Sequence, residues 1–185
     1  MKKILIISIL LSVSISHSQK LKDEIIIIET SEGNITVHLD AKRAPITVNN
    51  FIGLIQSDYF DGSVFHRVIE NFMIQGGGFN EDMIDLEPSK AIPNESGNGL
   101  SNLRGTIAMA RTSDPHSANA QFFINTKDNR SLNPKSGKWG YAVFGSVIEG
   151  MNIVDRISKK PTGPKGRFMR DVPTETVFIN NISIE

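Results

Sequence analysis

Between Phe65 and Phe79 the chain reads FHRVIENFMIQGGGF, two apolar-rich arms around Glu70-Asn71 followed by three glycines. On the first arm Phe65, Arg67 and Ile69 alternate with His66 and Val68. This is the period of a strand, and it puts Arg67 on one face with Phe65 and Ile69. On the second arm Met73 and Gln75 share a face. An arginine on an apolar face is either paired or functional. Spacing alone leaves both readings open, a structural ion pair or a cation aimed at a ligand. A cation, an amide and soft apolar side chains are thus expected on one concave surface.

The flanking sequence supplies more strands than helices. Upstream, Ile25 to Glu29 is a β-run, Ser31-Glu32-Gly33 a turn, and Ile35, Val37 and Leu39 alternate with polar residues. That pattern predicts a hairpin with one buried face. Pro45 fits a first helical position, and Val48, Phe51, Ile52 and Ile55 recur at helical spacing, so residues 44–57 are expected to form an amphipathic helix. Downstream, residues 80–104 carry no clear period and read as a long surface loop with a short strand at 91–95. Compact domains rarely carry such loops without a role. Strands are expected at 106–109, 121–125, 141–147 and 176–184, and a second short helix after Gly150. Residues 128–138 read as a polar loop, and Pro161, Gly163, Pro164 and Gly166 as another. In the last strand the apolar positions change phase across Asn180-Asn181, the mark of a β-bulge. The pattern is an antiparallel barrel or sandwich with helical caps, in one domain.

The first 18 residues are of another kind. Lys2 and Lys3 precede the apolar run Ile4 to Val13, and Ser16-His17-Ser18 follows. This predicts a secretory signal peptide at 1–18, a mature domain at 19–185, and export to a periplasm or the exterior. The run is too short to span a bilayer. Loss of the two lysines leaves 18 basic against 20 acidic residues, so no basic footprint for nucleic acid is expected. The chain has no cysteine, which excludes thiol catalysis and cysteine metal sites and leaves the exported fold to packing alone. The four histidines have no ligand-like spacing, and Gly76-Gly77-Gly78 lacks the Lys-Ser/Thr of a phosphate loop. No metal or cofactor is expected, and the protein is expected to be a monomer.

The F-H-R segment at 65–67 with F-M-I-Q-G-G at 72–77 resembles the signature of the cyclophilin-type peptidyl-prolyl cis–trans isomerases. Met109-Ala110-Arg111 with Gln121-Phe122-Phe123-Ile124, and then Tyr141-Ala142-Val143-Phe144-Gly145, match further family segments in the same order. The resemblance runs from about Ile25 to the C-terminus. It implies a mainly β fold, a closed eight-stranded antiparallel barrel with a helix over each end and the site on its outer face. It also implies rotation about X-Pro bonds in peptides and folding proteins. Arg67 matches the family's catalytic arginine, and Gln75 the residue that holds the guanidinium and binds substrate backbone. Phe72, Met73, Phe123 and Leu132 match the walls of the proline pocket, while Phe122 is expected to face the core. His66 matches a position at the site's edge, and Gln121, Arg111 and Tyr141 complete the substrate-binding set. Arg111 stands where some members carry asparagine, and Tyr141 where some carry histidine. Ser131 falls where relatives carry Trp or Phe, so the resemblance implies only weak binding of the family inhibitor cyclosporin. Trp139 is a candidate to replace that aromatic.

The residues also admit a non-catalytic proline-binding or chaperone module and a small-ligand barrel. Having both Arg67 and Gln75 favours the enzyme, because a pure binder needs the pocket more than the donor.

Overall fold

The computed structural model describes residues 23–87 and 90–185. The expected leader lies outside them. In chain order the elements are β1 (Glu24–Thr30), β2 (Gly33–Leu39), α1 (Pro45–Gln56), β3 (Ser63–Val64), β4 (Arg67–Ile69), β5 (Met73–Gly76), β6 (Thr106–Met109), β7 (Phe122–Asn125), β8 (Val143–Glu149), α2 (Met151–Ser158), β9 (Thr162–Lys165), β10 (Phe168–Pro173) and β11 (Phe178–Ile184). Among the described residues no helix is long and apolar enough to cross a membrane.

Nine antiparallel strands form one curled sheet in the order β3-β11-β1-β2-β8-β6-β7-β5-β4. Its two end strands, β3 and β4, are consecutive in the chain and separated only by Phe65 and His66. The expected count of eight becomes nine because this one stretch bends. Its first half pairs with β11 and its second with β5. At the bend the Phe65 N–H bonds the Val177 carbonyl at 2.9 Å, and the Phe65 ring enters the core beside Val68. Arg67 therefore does not share a face with Phe65, as simple alternation predicts; it shares one with Ile69 only.

The hydrophobic core fills the inside of the curl. Ile26, Ile28, Ile35, Val37, Ile74, Ile107, Ile124 and Ile179 are fully buried there, each delivered by strand alternation. Helix α1 adds Val48 and Phe51, and α2 adds Val154 and Ile157. Phe51 packs on Phe60, Phe122 and Phe144 at 4.9–5.4 Å between ring centroids, an aromatic cluster with the tilted and edge-on geometry such rings prefer. The change of phase in the last strand is a bulge, since Glu29 opposes Asn181 and Thr30 opposes Ile179, leaving Asn180 as the extra residue.

Two loop expectations change. Residues 91–95 are not a strand. They are tied instead by the Ile92 N–H to the Ala118 carbonyl and by the buried Asn94 amide to the Pro115 and Gly140 carbonyls. From the same loop Glu95 accepts from the Ile46 and Thr47 N–H groups at 3.1 and 2.8 Å. It puts an anion on the first turn of α1, where donors are otherwise unpartnered. Residues 161–166 are not merely a loop, because β9 pairs with β10 as a separate two-stranded hairpin. Proline and glycine hide a strand that needs no continuous period at a short edge.

Candidate active site

On the outer face, register brings the quoted residues together. Arg67 on β4 lies opposite Gln75 on β5, Gln75 opposite Phe123 on β7, and Phe123 opposite Ala108 on β6. Ile69 lies opposite Met73 on the same face. A pocket of about 290 Å³ opens over this row. All ten residues singled out from the sequence line it: His66, Arg67, Phe72, Met73, Gln75, Arg111, Gln121, Phe123, Leu132 and Tyr141.

Its floor is apolar. Met73 and Phe123 are 2% and 4% exposed and pack with Ala108 and Val143, with Phe72, Leu132 and Tyr141 around them. The Tyr141 ring meets Phe123 edge-on at 5.7 Å. Phe122, the next residue along, is fully buried in the core, as alternation requires. Gly78 makes room for the polar wall: a Cβ there would lie 2.4 Å from the Gln121 side chain. Gly140 does the same for the Leu132 loop, since a Cβ would stand 2.4 Å from the Pro134 nitrogen.

The polar side is a chain of amides ending on a cation. Gln75 Nε2 donates to Gln121 Oε1 at 3.0 Å, and Arg67 Nη1 approaches Gln75 Oε1 at 3.5 Å. A guanidinium only donates, so the Gln75 oxygen must face it, and the amide nitrogen is left for Gln121. Arg67 Nε lies 3.8 Å from Asp171 of β10, and its side chain is 41% exposed. Arg111 crosses the Tyr141 ring at 4.6 Å and donates to the Gly140, Thr112 and Trp139 carbonyls. Its side chain is spent on the local backbone and one ring.

His66 is buried at the pocket edge, with its ring centroid 4.5 Å from Phe79 and 5.7 Å from Phe168. Burial lowers its pKa from 6.5 to about 4, and Arg67 and Arg167 push the same way. The ring is therefore neutral at pH 7. Among the described residues no three His, Asp or Glu side chains gather as a metal would need.

Comparison with known proteins shows the family. The family model "Cyclophilin type peptidyl-prolyl cis-trans isomerase/CLD" matches residues 25–184. The chain belongs to the cyclophilin-type peptidyl-prolyl cis-trans isomerase family. It is 51% identical over 160 residues to a peptidyl-prolyl cis-trans isomerase of Streptomyces antibioticus, covering 85% of this chain and 96% of that one. A relative from Acinetobacter baylyi with the same name is 44% identical over 97% of this chain and 95% of its own. Among solved structures, a cyclophilin-type isomerase of Cryptosporidium parvum in the presence of the dipeptide Ala-Pro superposes with a TM-score of 0.72 at 25% identity. That match covers 88% of this chain and 99% of the other.

Three lining residues of this cyclophilin pocket escaped the sequence reading: Phe79, Ala110 and Phe168. Phe79 and Ala110 each sit inside or beside a quoted segment and were legible there. Phe168 comes from β10, which follows the stretch read as a loop, and no period announced it. A set of buried amides was missed as well. Asn129 Nδ2 donates to the Phe72 carbonyl and to Asn125 Oδ1, both at 2.7 Å. Asn125 Nδ2 donates to Asn102 Oδ1 at 3.2 Å, and the Asn102 N–H to Asn133 Oδ1 at 2.7 Å. These bonds pin the Phe72 turn to the segment carrying Leu132. Buried amides of this kind are costly unless satisfied, and satisfied they rigidify their surroundings.

Proposed function

We propose that this chain catalyses cis–trans rotation about X-Pro bonds in peptides and in folding proteins after export. The observation that carries this is the placement of Arg67, held by Gln75, beside an apolar floor of Phe72, Met73, Phe123 and Leu132. The two isomers of an X-Pro bond lie within about 1 kcal/mol, but roughly 18–20 kcal/mol of amide resonance separates them. At the twisted transition state the prolyl nitrogen is pyramidal and has regained its lone pair. A donor near that nitrogen favours the twisted state over the planar one and so lowers the barrier. Arg67 is that donor, and the floor seats the proline ring. Gln75 and Gln121 bind substrate backbone, with His66, Arg111 and Tyr141 at the rim. The chemistry needs no nucleophile, metal or cofactor. A protease-coupled isomerisation assay on a proline peptide tests the reading with residues 19–185. Peptide binding without rate enhancement would leave only a proline-binding module.

Export is supported by Lys2, Lys3, the apolar run from Ile4 to Val13 and Ser16-His17-Ser18. Exported protein is expected to begin near Gln19 by mass analysis. An intact Met1 in the exported fraction would overturn this.

Cyclosporin sensitivity is expected to be weak. Ser131 is exposed beside the pocket-lining Leu132 and offers little apolar area. Trp139 does not line the pocket; it is half-exposed and packs edge-on against His116 at 5.1 Å. At about 25 cal/mol per Å², roughly 100 Å² of lost contact weakens binding by about 2–3 kcal/mol. Ser131→Trp should therefore be inhibited much more readily than wild type in a cyclosporin titration of activity, while Trp139→Ala should titrate as wild type does. Tight inhibition of both wild type and Trp139→Ala would show that Ser131 does not limit binding.

A further inference from the structure

Asp171 lies in β10 with its backbone in the left-handed region, φ 69°. It stands where the pairing of β10 with β9 loses register between Phe168 and Val172. Bulges of this kind re-aim a side chain, and a non-glycine residue in the left-handed region is held there by its surroundings. Here the aim is toward the site. The Asp171 carboxylate is 3.8 Å from Arg67 Nε and 3.6 Å from Arg170 Nε, and its side chain is only 23% exposed. The Arg170 side chain is 85% exposed, so solvent competes for that arginine far more than for Arg67.

Gln75 alone is a loose tether for Arg67, at 3.5 Å from one Nη. A long flexible side chain loses catalytic effect if it must be ordered during the reaction, and a pre-ordered one does not. An anion on the Nε edge and an amide oxygen on Nη1 together determine which way the planar guanidinium faces.

We infer that Asp171, delivered by the β10 bulge, is a positioning residue that holds the Nε edge of Arg67 so that its free N–H groups face the pocket. The inference rests on the reading of Arg67 as the donor to the prolyl nitrogen. It makes the hairpin part of the catalytic apparatus, because Phe168 lines the pocket and Asp171 orients the cation.

The test is a steady-state comparison of full-length wild type, Asp171→Asn and Asp171→Gly on a proline peptide, with circular dichroism confirming the fold. Asn and Gly both tolerate the left-handed backbone, so each removes the charge without adding strain. Should one variant fail to fold, the other carries the test. Both are expected to lower kcat about three- to tenfold with KM within about twofold, the split that loss of a transition-state interaction gives. In an Arg67→Ala background Asp171→Asn should change kcat by less than about twofold, since the group it orients is gone. A wild-type kcat in both single variants, or an equal further loss in the Arg67→Ala background, would overturn the inference. If Arg67→Ala lowers kcat while Asp171→Asn does not, the positioning role alone fails. If Arg67→Ala itself has no effect, the donor reading fails and this inference with it.

Discussion

Arg67→Ala should lower kcat on a proline peptide by at least about tenfold, which is about 1.4 kcal/mol of transition-state stabilisation. The side chain sits on the outer face of the sheet and outside the core, paired among the described residues only with Gln75 and Asp171. Its removal leaves no buried partner uncompensated, so the fold should survive. The arginine's main contribution is to the twisted state, and ground-state binding should fall less than turnover. Phe123→Ala is the counterpart. Phe123 is 4% exposed and packed against Tyr141, so it shapes the pocket for the planar and the twisted substrate alike. Its loss should weaken affinity and rate together. Steady-state kinetics on both variants, with affinity for the proline peptide measured separately, check the contrast. Unchanged kinetics in a folded Arg67→Ala protein would end the proposed mechanism, and untouched affinity in Phe123→Ala would end the pocket assignment.

Acid should destabilise the fold through His66. The unfolded chain takes up a proton on this residue near 6.5, while the folded chain does so only near 4, chiefly because the ring is buried. Between those values the unfolded state binds more protons, so stability is complete above about pH 6.5 and falls as the pH drops toward 4. The span corresponds to at most about 3 kcal/mol. Other groups also contribute at low pH. The Arg104 guanidinium holds the Asp155 carboxyl below its usual range, and that stability is lost as pH falls through the lowered value. A His66→Phe variant separates the two effects. It keeps an aromatic ring between Phe79 and Phe168, and among the described residues His66 Nδ1 has no hydrogen-bond partner to lose. Urea unfolding at pH 7 and pH 4 should show the variant losing markedly less stability than wild type. Equal losses in the two proteins would mean that His66 does not carry the effect.

The quoted stretch and its two companion segments named every wall of the pocket that comes from a strand of the nine-stranded sheet. Their legibility has a simple cause. Arg67 and Gln75 are cross-strand neighbours on one face, and the period of two in their own sequence declares that face before any partner is known; Phe123, opposite Gln75, was named by the family resemblance. The same logic gave the hairpin of β1 and β2, the core side of Phe122, both helices and the bulge at Asn180. Each of these depends on local periodicity or on a break in it.

What the tertiary structure alone decided lies where contacts join distant parts of the chain through irregular backbone. The bend at Phe65-His66 turns one expected strand into the two ends of the sheet. Alternation could not show it, because the bend is held by the remote Val177 carbonyl. The hairpin of β9 and β10 is hidden by its prolines and glycines, yet it supplies Phe168 to the pocket and Asp171 to Arg67. The linked amides of Asn102, Asn125 and Asn129, and the cap that Glu95 places on α1, join residues up to 57 positions apart in sequence. A polar residue in a loop carries no periodic mark of being buried, since its burial is repaid by hydrogen bonds to partners that only the folded chain brings near.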